Sequence, residues 1–397
     1  MLLRSSSARE ARVALHALSQ RLLSFRPNLA DASLATGNAG LALAHGVLND
    51  VFPKAGHASA AQRAIGRAAR ARTNHHGASL FNGFVGLAWV VEFLVGNPDT
   101  PADADPNAWV DETIEPYLSA AKGPYDLVSG LVGIGVYALE RMPRPSGQRL
   151  VALVVKNLAE TARRKSPGVA WWSDPKWGTS GAGWNLGLAH GVPGVISFLG
   201  RVVGSKVDSL TTEKARRLLD SAVEWVLAQE LSDEFEGSFA YRASPRKAPA
   251  FLAWCYGDPG VAAALLVAAK GTASVSLEKA AMRVALRAAG RTFESSKISD
   301  PGLCHGAAGV AHIFHRMYMT TGEMFLADAA RRWFDRALAM RGSRGFAGFS
   351  LQGKDKTGRK LWRVDPSFLT GGAGIALALA SATGSEPLLW DRALLLS

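Results

Sequence analysis

Two kinds of apolar segment alternate along the chain. The first has apolar residues at helical spacing among arginines, a pattern that predicts an amphipathic surface helix. The second is a run of small and aliphatic residues, such as Leu41-Ala42-Leu43-Ala44. A helix that is apolar nearly all round is a buried helix. Amphipathic helices are predicted within residues 7–24, 58–72, 101–121, 148–164, 210–229, 277–292 and 325–340.

Each buried run opens with a Gly-x-x-Gly unit. The unit occurs seven times, with its first glycine at residues 37, 83, 130, 191, 257, 306 and 371. Recurrence of one unit at such intervals is typical of a repeat architecture. Outer and inner helices that alternate in this way close naturally into a ring. We therefore predict an all-α fold, an α/α toroid of seven outer and seven inner helices, in which residues 1–397 form one domain.

Three of the six intervals between the first glycines are longer than the others, at 61 to 66 residues against 46 to 49. The extra residues include 171–177, 235–249 and 345–366, and the last contains a turn between two short extended segments. We expect short β-hairpin-like insertions that wall a cleft on one rim of the ring, because loops carry function more often than the elements they join. The Trp171/Trp172 pair is expected to pack within its loop rather than to form a binding platform.

Composition narrows the class of protein. The 397 residues are 48% hydrophobic, which is ample for a core, and carry a net charge of +12. The arginines are spread over the amphipathic helices and no nucleic-acid-binding motif stands out, so a solvated basic surface is predicted rather than a nucleic-acid partner. No apolar run reaches the length of a membrane span, and the first residues lack the apolar region of a signal peptide. Only two cysteines occur, which favours a reducing cytoplasm over a disulfide-built secreted protein.

The two cysteines occupy matching places in two repeats. Cys255 and Cys304 each stand two residues before the first glycine of a unit, and His305 follows Cys304 directly. A lone cysteine on an apolar segment is usually a small core residue. Two in register with an adjacent histidine instead suggest one shared metal site. Cys255, Cys304 and His305 would hold a zinc ion whose fourth position stays open for water or substrate.

Further polar residues share this register. His190 and Tyr256 stand one residue before their glycines, and Asp126 stands four before. Equivalent positions of a closed repeat converge at one mouth, here at helix N-termini, which favour anions and thiolates. The alternatives are a core histidine, a packing tyrosine and a helix cap at Asp126. The remaining conspicuous histidines lie off the register and are expected to be structural or at the surface: His45, His75, His76, His312 and His315.

The motifs Trp254-Cys255-Tyr256-Gly257, Leu303-Cys304-His305-Gly306 and Leu188-Ala189-His190-Gly191, together with the seven Gly-x-x-Gly units, resemble the lanthionine synthetase C-like family. These are the cyclases of lanthipeptide biosynthesis, here of the stand-alone, class I type. The resemblance runs from about Gly37 to Gly374. It implies an α/α toroid with zinc on the two cysteines and His305. It also implies an active-site histidine, aspartate and tyrosine at His190, Asp126 and Tyr256.

The chemistry that this resemblance implies is thioether formation. The substrate would be a precursor peptide, with leader and core, that already carries dehydroalanine or dehydrobutyrine. Zinc would lower the pKa of a peptide cysteine thiol, and the thiolate would add to the β-carbon of the dehydroamino acid. His190 is the first choice of acid for the α-carbon and Tyr256 the second, with Asp126 orienting His190. No dehydratase fits beside the toroid in this length, so a separate dehydratase would act first and is a possible partner.

One position departs from the family pattern and keeps alternatives open. Family members often have an arginine four residues before the first zinc cysteine, where this chain has Phe251, and neither Arg246 nor Lys247 is in register. A relative that binds zinc and peptide or thiol without catalysis is therefore one alternative. A prenyltransferase-like toroid is another, although its usual ligand set includes an aspartate. A sugar-hydrolysing toroid would need two inward carboxylates, and the register supplies only Asp126.

Overall fold

A computed structural model describes residues 2–26, 31–71, 77–101, 103–120, 123–177, 181–245, 248–354, 357 and 360–397. Within them the chain is mainly helical. The helices are α1 (Ser5–Ser24), α2 (Asn38–Val51), α3 (His57–Arg70), α4 (Phe84–Val95), α5 (Ala108–Ser119), α6 (Leu131–Glu140), α7 (Pro145–Thr161), α8 (Val192–Val203), α9 (Ser209–Leu227), α10 (Asp258–Thr272), α11 (Val275–Ala289), α12 (Phe293–Ser296), α13 (Ala307–Thr321), α14 (Met324–Ala339) and α15 (Gly372–Thr383).

The predicted alternation of helices is present. In each of the seven Gly-x-x-Gly units a helix begins directly after the first glycine, and these inner helices are α2, α4, α6, α8, α10, α13 and α15. The amphipathic helices correspond to α1, α3, α5, α7, α9, α11 and α14, with ends within a few residues of those predicted except at α5, which begins only at Ala108. The inner helices are largely buried. In α15, for example, every residue from Gly372 to Ala382 is buried.

The second glycine of the unit is needed for a close backbone approach. A β-carbon at Gly309 would lie 1.7 Å from the carbonyl oxygen of Leu303, and one at Gly194 would lie 2.4 Å from that of Leu188. Each carbonyl belongs to the loop that leads into the same helix. The glycine therefore lets the loop fold back onto the helix start, which sets the direction of the side chains just before it. Gly257 has a different reason, because its φ of 86° is in the region that favours glycine.

The chain forms two compact units. The first comprises Met1–Asn74, Phe251–Trp254 and Ala289–Trp390. In it the inner helices α13, α15 and α2 pack side by side, while α14, α1 and α3 cover them. The second comprises His75–Ala250, Cys255–Ala288 and Asp391–Ser397. In it α4, α6, α8 and α10 pack in chain order, with α5, α7 and α9 outside. That the chain is one domain stays a prediction.

The longer intervals carry short strands. β1 (Arg163–Arg164) pairs with β2 (Val169–Ala170), and β3 (Trp172–Ser173) pairs with β4 (Gly183–Trp184), both antiparallel. The last insertion forms a third antiparallel pair, β5 (Leu351–Lys354) with β6 (Lys360–Arg363). Its turn residues 355, 356, 358 and 359 lie outside the described residues. The insertion at 235–249 contributes a single antiparallel bridge, between Arg242 and Asn185.

Single backbone hydrogen bonds join the loops before neighbouring inner helices. In the first unit Leu369 donates to Ala35, Cys304 to Leu369 and Trp254 to Cys304. In the second unit Phe81 donates to Val128, Leu127 to Ala189 and Ala189 to Cys255. All of these residues stand two or three positions before the first glycine of their unit. The bonds use only main-chain groups, so they fix the register whatever the side chain is.

Three buried polar side chains connect α1, α2 and α3. The Nδ1 atoms of His45 and His57 lie 2.8 Å apart, and His57 Nε2 lies 2.8 Å from the Ser19 hydroxyl. Burial lowers the pKa of His45 to about 3 and that of His57 to about 4. Both rings are therefore neutral near pH 7, one as donor and the other as acceptor.

The other off-register histidines also follow the sequence prediction where they can be seen. His312 and His315 are buried, and the His312 ring stacks on Trp390 at 4.6 Å between centroids. His75 and His76 lie outside the described residues. Among the described residues no helix is both long and apolar enough to span a bilayer.

Candidate metal centre and active site

The three predicted zinc ligands lie together. Cys255 stands in the loop before α10, and Cys304 and His305 stand in the loop before α13. Their ligand atoms, two sulfurs and one imidazole nitrogen, all lie within 4.8 Å of one another. Cys255 is buried, and neither cysteine is in a disulfide. The register argument from the sequence thus predicted a real cluster of donor atoms.

The donor set fits zinc. Two sulfurs each about 2.3 Å from one zinc ion are at most about 4.6 Å apart, and a nitrogen ligand binds at about 2.0–2.1 Å. The observed spread is compatible with those distances. Thiolate and imidazole are the donors that zinc prefers, whereas magnesium and calcium prefer oxygen. Three protein ligands are the number that leaves a tetrahedral zinc one position for a substrate.

A carboxylate stands behind His305. Asp300 Oδ2 lies 3.8 Å from His305 Nε2, and Asp300 Oδ1 accepts a hydrogen bond from the Gly302 backbone at 2.8 Å. Burial raises the pKa of the Asp300 carboxyl. Histidines that bind metal commonly direct their second ring nitrogen to such a group, which fixes the ring orientation. Asp300 can serve His305 in this way.

Asp126 and His190 form a hydrogen-bonded pair. Asp126 Oδ2 lies 2.8 Å from His190 Nδ1, and Asp126 Oδ1 accepts from the Ser129 backbone at 2.7 Å. The aspartate side chain is 1% exposed and the histidine side chain 22%. An ionised carboxylate only accepts hydrogen bonds, so Nδ1 must donate. The orientation leaves His190 Nε2 as the nitrogen that can exchange a proton with a substrate.

The sequence left two roles open for Asp126, and the structure shows both contacts. One carboxylate oxygen caps the turn at Ser129 and the other holds His190. A second layer fixes the histidine backbone, because the Tyr125 hydroxyl donates to the His190 carbonyl at 3.1 Å. Tyr125 also contacts the Ser173 hydroxyl at 3.2 Å. Burial raises the pKa of Tyr125, so it remains a phenol and a donor.

Tyr256 lies beside His190. Its ring centroid is 6.3 Å from that of His190. The Asn185 amide donates to the Tyr256 hydroxyl at 3.1 Å, and Asn185 Oδ1 accepts from the Gly187 backbone at 2.8 Å. As an acceptor from Asn185, the hydroxyl can still donate its own proton. Asn185 is fully buried, so this arrangement is rigid.

Sequence reasoning missed the residues that hold the predicted ones in place, among them Asn185 and Tyr125. A signal for Asn185 existed. It stands six residues before Gly191, and the same position is aspartate at Asp31, Asp300 and Asp365. In each case a side-chain oxygen accepts from the backbone two residues later. Tyr125 and Ser173 have no such repeat counterpart, and only their contacts reveal them.

Phe251 stands where family members often have an arginine, so the basic residues near it in the sequence are of interest. Arg246 and Lys247 lie outside the described residues. Arg242 stands opposite Asn185 in the antiparallel bridge, and its Nε is buried without a hydrogen-bond partner among the described residues. Residues paired across such a bridge have neighbouring side chains. Arg242 is thus a positively charged side chain beside Asn185, the residue that hydrogen-bonds the Tyr256 hydroxyl.

The fold and this site define a class of protein, which two comparisons identify. The solved structure titled "Nisin cyclase" matches with a TM-score of 0.71 over 98% of this chain and 97% of that chain, at 19% sequence identity. The likeness shows the fold, and the predicted all-α toroid is confirmed.

The sequence model described as "Lanthionine synthetase C-like protein" matches residues 29–395. The chain therefore belongs to the lanthionine synthetase C-like family.

Proposed function

We propose that this protein is a zinc-dependent lanthipeptide cyclase, which joins peptide cysteines to dehydroalanine or dehydrobutyrine as lanthionine or methyllanthionine. The observation that carries the proposal is that the loops before the inner helices hold both a set of metal ligands and a hydrogen-bonded Asp–His pair. Cys255, Cys304 and His305 offer a three-ligand metal site. The loops before the neighbouring helices α6 and α8 bring Asp126 to His190 as a proton-transfer pair.

The reaction needs a nucleophile and an acid. A zinc ion held by the two cysteines and His305 would supply the nucleophile, a substrate thiolate, because it lowers the pKa of a bound thiol. The thiol loses its proton to solvent, its sulfur forms a bond to the β-carbon of the dehydroamino acid, and the electron pair of the carbon–carbon double bond moves toward the adjacent carbonyl. The α-carbon must then receive one proton.

In this proposal His190 delivers that proton. Its Nδ1 is held by Asp126, so its protonated form donates from Nε2, and the neutral ring then regains a proton for the next ring closure. Asp126 accepts the hydrogen bond from Nδ1 and so fixes the orientation of the ring. The Tyr256 hydroxyl, held by Asn185, is the second candidate donor.

The partners follow from this chemistry. The substrate is a precursor peptide, with leader and core, that has already lost water at serine or threonine. A separate dehydratase would act before this enzyme. Cys255 and Cys304 are not joined in a disulfide, which suits a reducing compartment, so we place the reaction in the cytoplasm.

The decisive experiment is an assay with a dehydrated peptide. Ring closure does not change mass, so the remaining thiol is alkylated and counted by mass spectrometry. We expect wild-type enzyme to consume one thiol per ring in the presence of zinc and a chelator to stop it. An unchanged thiol count with several dehydrated peptides, under conditions in which zinc is bound, would leave the second candidate function. That is a relative which binds zinc and peptide without catalysis, as Phe251 in place of the family arginine favours.

A further inference from the structure

A cavity of ≈ 290 Å³ lies beside the Asp126–His190 pair. Asp126, Tyr125 and Ser173 contribute to its wall, and these are residues that hold His190 by its ring or its backbone carbonyl. The insertion before α8 also lines it, including Trp172 and Trp177. Pockets that take a whole small molecule begin at about 300 Å³, so this one suits a single large side chain.

Two of the three tryptophans that line the cavity are partly exposed. The sequence predicted that Trp171 and Trp172 pack within their loop, and the structure separates the two. Trp171 is 1% exposed and its indole donates to the Leu158 carbonyl at 3.0 Å. Trp172 is 36% exposed, although its ring also contacts that of Trp184 at 5.1 Å between centroids, and Trp177 is 39% exposed. Partly exposed indole rings that line a cavity offer a surface on which another aromatic ring packs.

The charges around the cavity select against a cation. Its two carboxylates already have cationic or imidazole partners, since Asp174 pairs with Lys176 at 3.0 Å and Asp126 with His190 at 2.8 Å. Lys176 also stands 5.1 Å over the Trp177 ring. Arg163 adds a further positive charge to the lining. A lysine or arginine side chain would therefore meet two cations.

From these observations we infer that the cavity is a substrate subsite for an aromatic side chain of the precursor peptide. The inference rests on the proposed function and deepens it. A ring seated on Trp172 and Trp177 anchors the peptide within reach of the proton-transfer pair. Peptides that carry an aromatic residue at one fixed distance from the dehydroamino acid are bound more tightly than peptides that lack it.

The test uses synthetic peptides with one dehydroalanine and one cysteine, in an otherwise alanine and glycine background. A single phenylalanine is placed at each position in turn, and arginine is tested at the best one. We expect one position to lower KM about ten-fold with little change in kcat. Trp172→Ala with Trp177→Ala removes this preference, and Trp172→Leu with Trp177→Leu serves if the alanine variant unfolds. Trp109→Ala is the matched control, because Trp109 is exposed on α5 and does not line the cavity.

Binding separates the two proposals. The same peptides with serine in place of dehydroalanine cannot cyclise, and their affinity is measured by fluorescence anisotropy. A phenylalanine preference that vanishes in the tryptophan double variant supports the subsite even if no peptide is cyclised. Equal affinity for all positions, a preference that survives the double variant, or tighter binding of arginine than of phenylalanine would each overturn the subsite while leaving cyclisation untouched.

Discussion

The backbone N–H of Ala189 donates to the carbonyl oxygen of Cys255 at 3.3 Å. Ala189 directly precedes His190, and Cys255 is one of the three residues proposed to bind zinc. The loop of the proposed acid is therefore bonded to the loop of a metal ligand through main-chain atoms alone. A substitution of the His190 side chain leaves this bond in place, so acid and metal functions can be tested separately.

The metal centre is tested by removing one donor at a time. Wild-type protein should hold about one zinc per chain, and Cys255→Ala, Cys304→Ala and His305→Ala should each lose most of it, because two ligands bind a labile metal. Metal analysis after dialysis gives the content. His190→Ala is the control and should keep its zinc. Full zinc in any one ligand variant would remove that residue from the site.

The acid is tested at His190. His190→Ala should lower kcat for ring closure by about 10²–10⁴-fold, the usual contribution of a positioned acid, with zinc content and melting temperature near wild type. The thiol-alkylation assay gives kcat. Tyr256→Phe is the companion variant, since it removes the second candidate donor while keeping the ring. A normal rate in His190→Ala with a large loss in Tyr256→Phe would reverse the two roles.

Asp126 is tested by removing its charge alone. Asparagine caps a turn almost as well as aspartate, so Asp126→Asn should keep the Ser129 contact and the melting temperature. It replaces the charged acceptor of the His190 Nδ1 hydrogen bond with a neutral amide, and kcat should fall by about ten-fold or more. A double variant with His190→Ala should lose little beyond His190→Ala, because residues that act as a unit are not additive. Fully additive losses in kcat would show that Asp126 acts independently.

The sequence predicted the clustering of the site residues but not all of their contacts. Spacing from the repeated glycines was enough to place Cys255, Cys304 and His305 in one cluster, since register survives in any closed repeat. The same spacing brought Asp126 within reach of His190. It could not show that Asp126 both caps a turn and holds a histidine, because the sequence does not reveal that the two oxygens of one carboxylate have separate partners. The different exposure of Trp171 and Trp172 was also out of reach, since the sequence does not show which of two adjacent tryptophans faces the core.

Gly187 offers a test of how tightly the site is packed. A β-carbon there would lie 2.4 Å from the Cys255 carbonyl oxygen and 2.7 Å from the Tyr256 ring. Gly187→Ala should therefore displace that loop, weaken zinc retention in a chelator competition and lower kcat. The control is Gly66→Ala on α3, where the nearest atoms are the flexible end of Arg70 at 3.4 Å. That helix should gain about 0.5–1 kcal/mol of stability or stay unchanged. Equal zinc retention in both variants would show that the loop has room.

The buried histidines predict how stability depends on pH. The folded-state pKa values of about 3 for His45 and about 4 for His57 lie below the usual 6.5. The unfolded chain therefore binds more protons, so stability is complete above about pH 6.5 and falls as the pH drops toward 4. The loss is roughly 2 kcal/mol per histidine between pH 7.5 and 5. Denaturant melts of wild type and of His45→Asn/His57→Gln give the comparison. Equal pH slopes in the two proteins would show that these rings do not carry the effect.

The main-chain bonds between neighbouring loops have a consequence for engineering. The same backbone position carries cysteine at Cys304 and Cys255, alanine at Ala189 and Ala35, and leucine at Leu369, and it bonds to its neighbour through N–H or carbonyl groups in every case. The main-chain hydrogen bonding at this position is therefore the same for different side chains. A thiol could therefore be moved to the equivalent position of another loop, for example by Ala189→Cys with Cys304→Ala. Such double substitutions would change which loops supply the metal ligands while keeping the backbone of those loops.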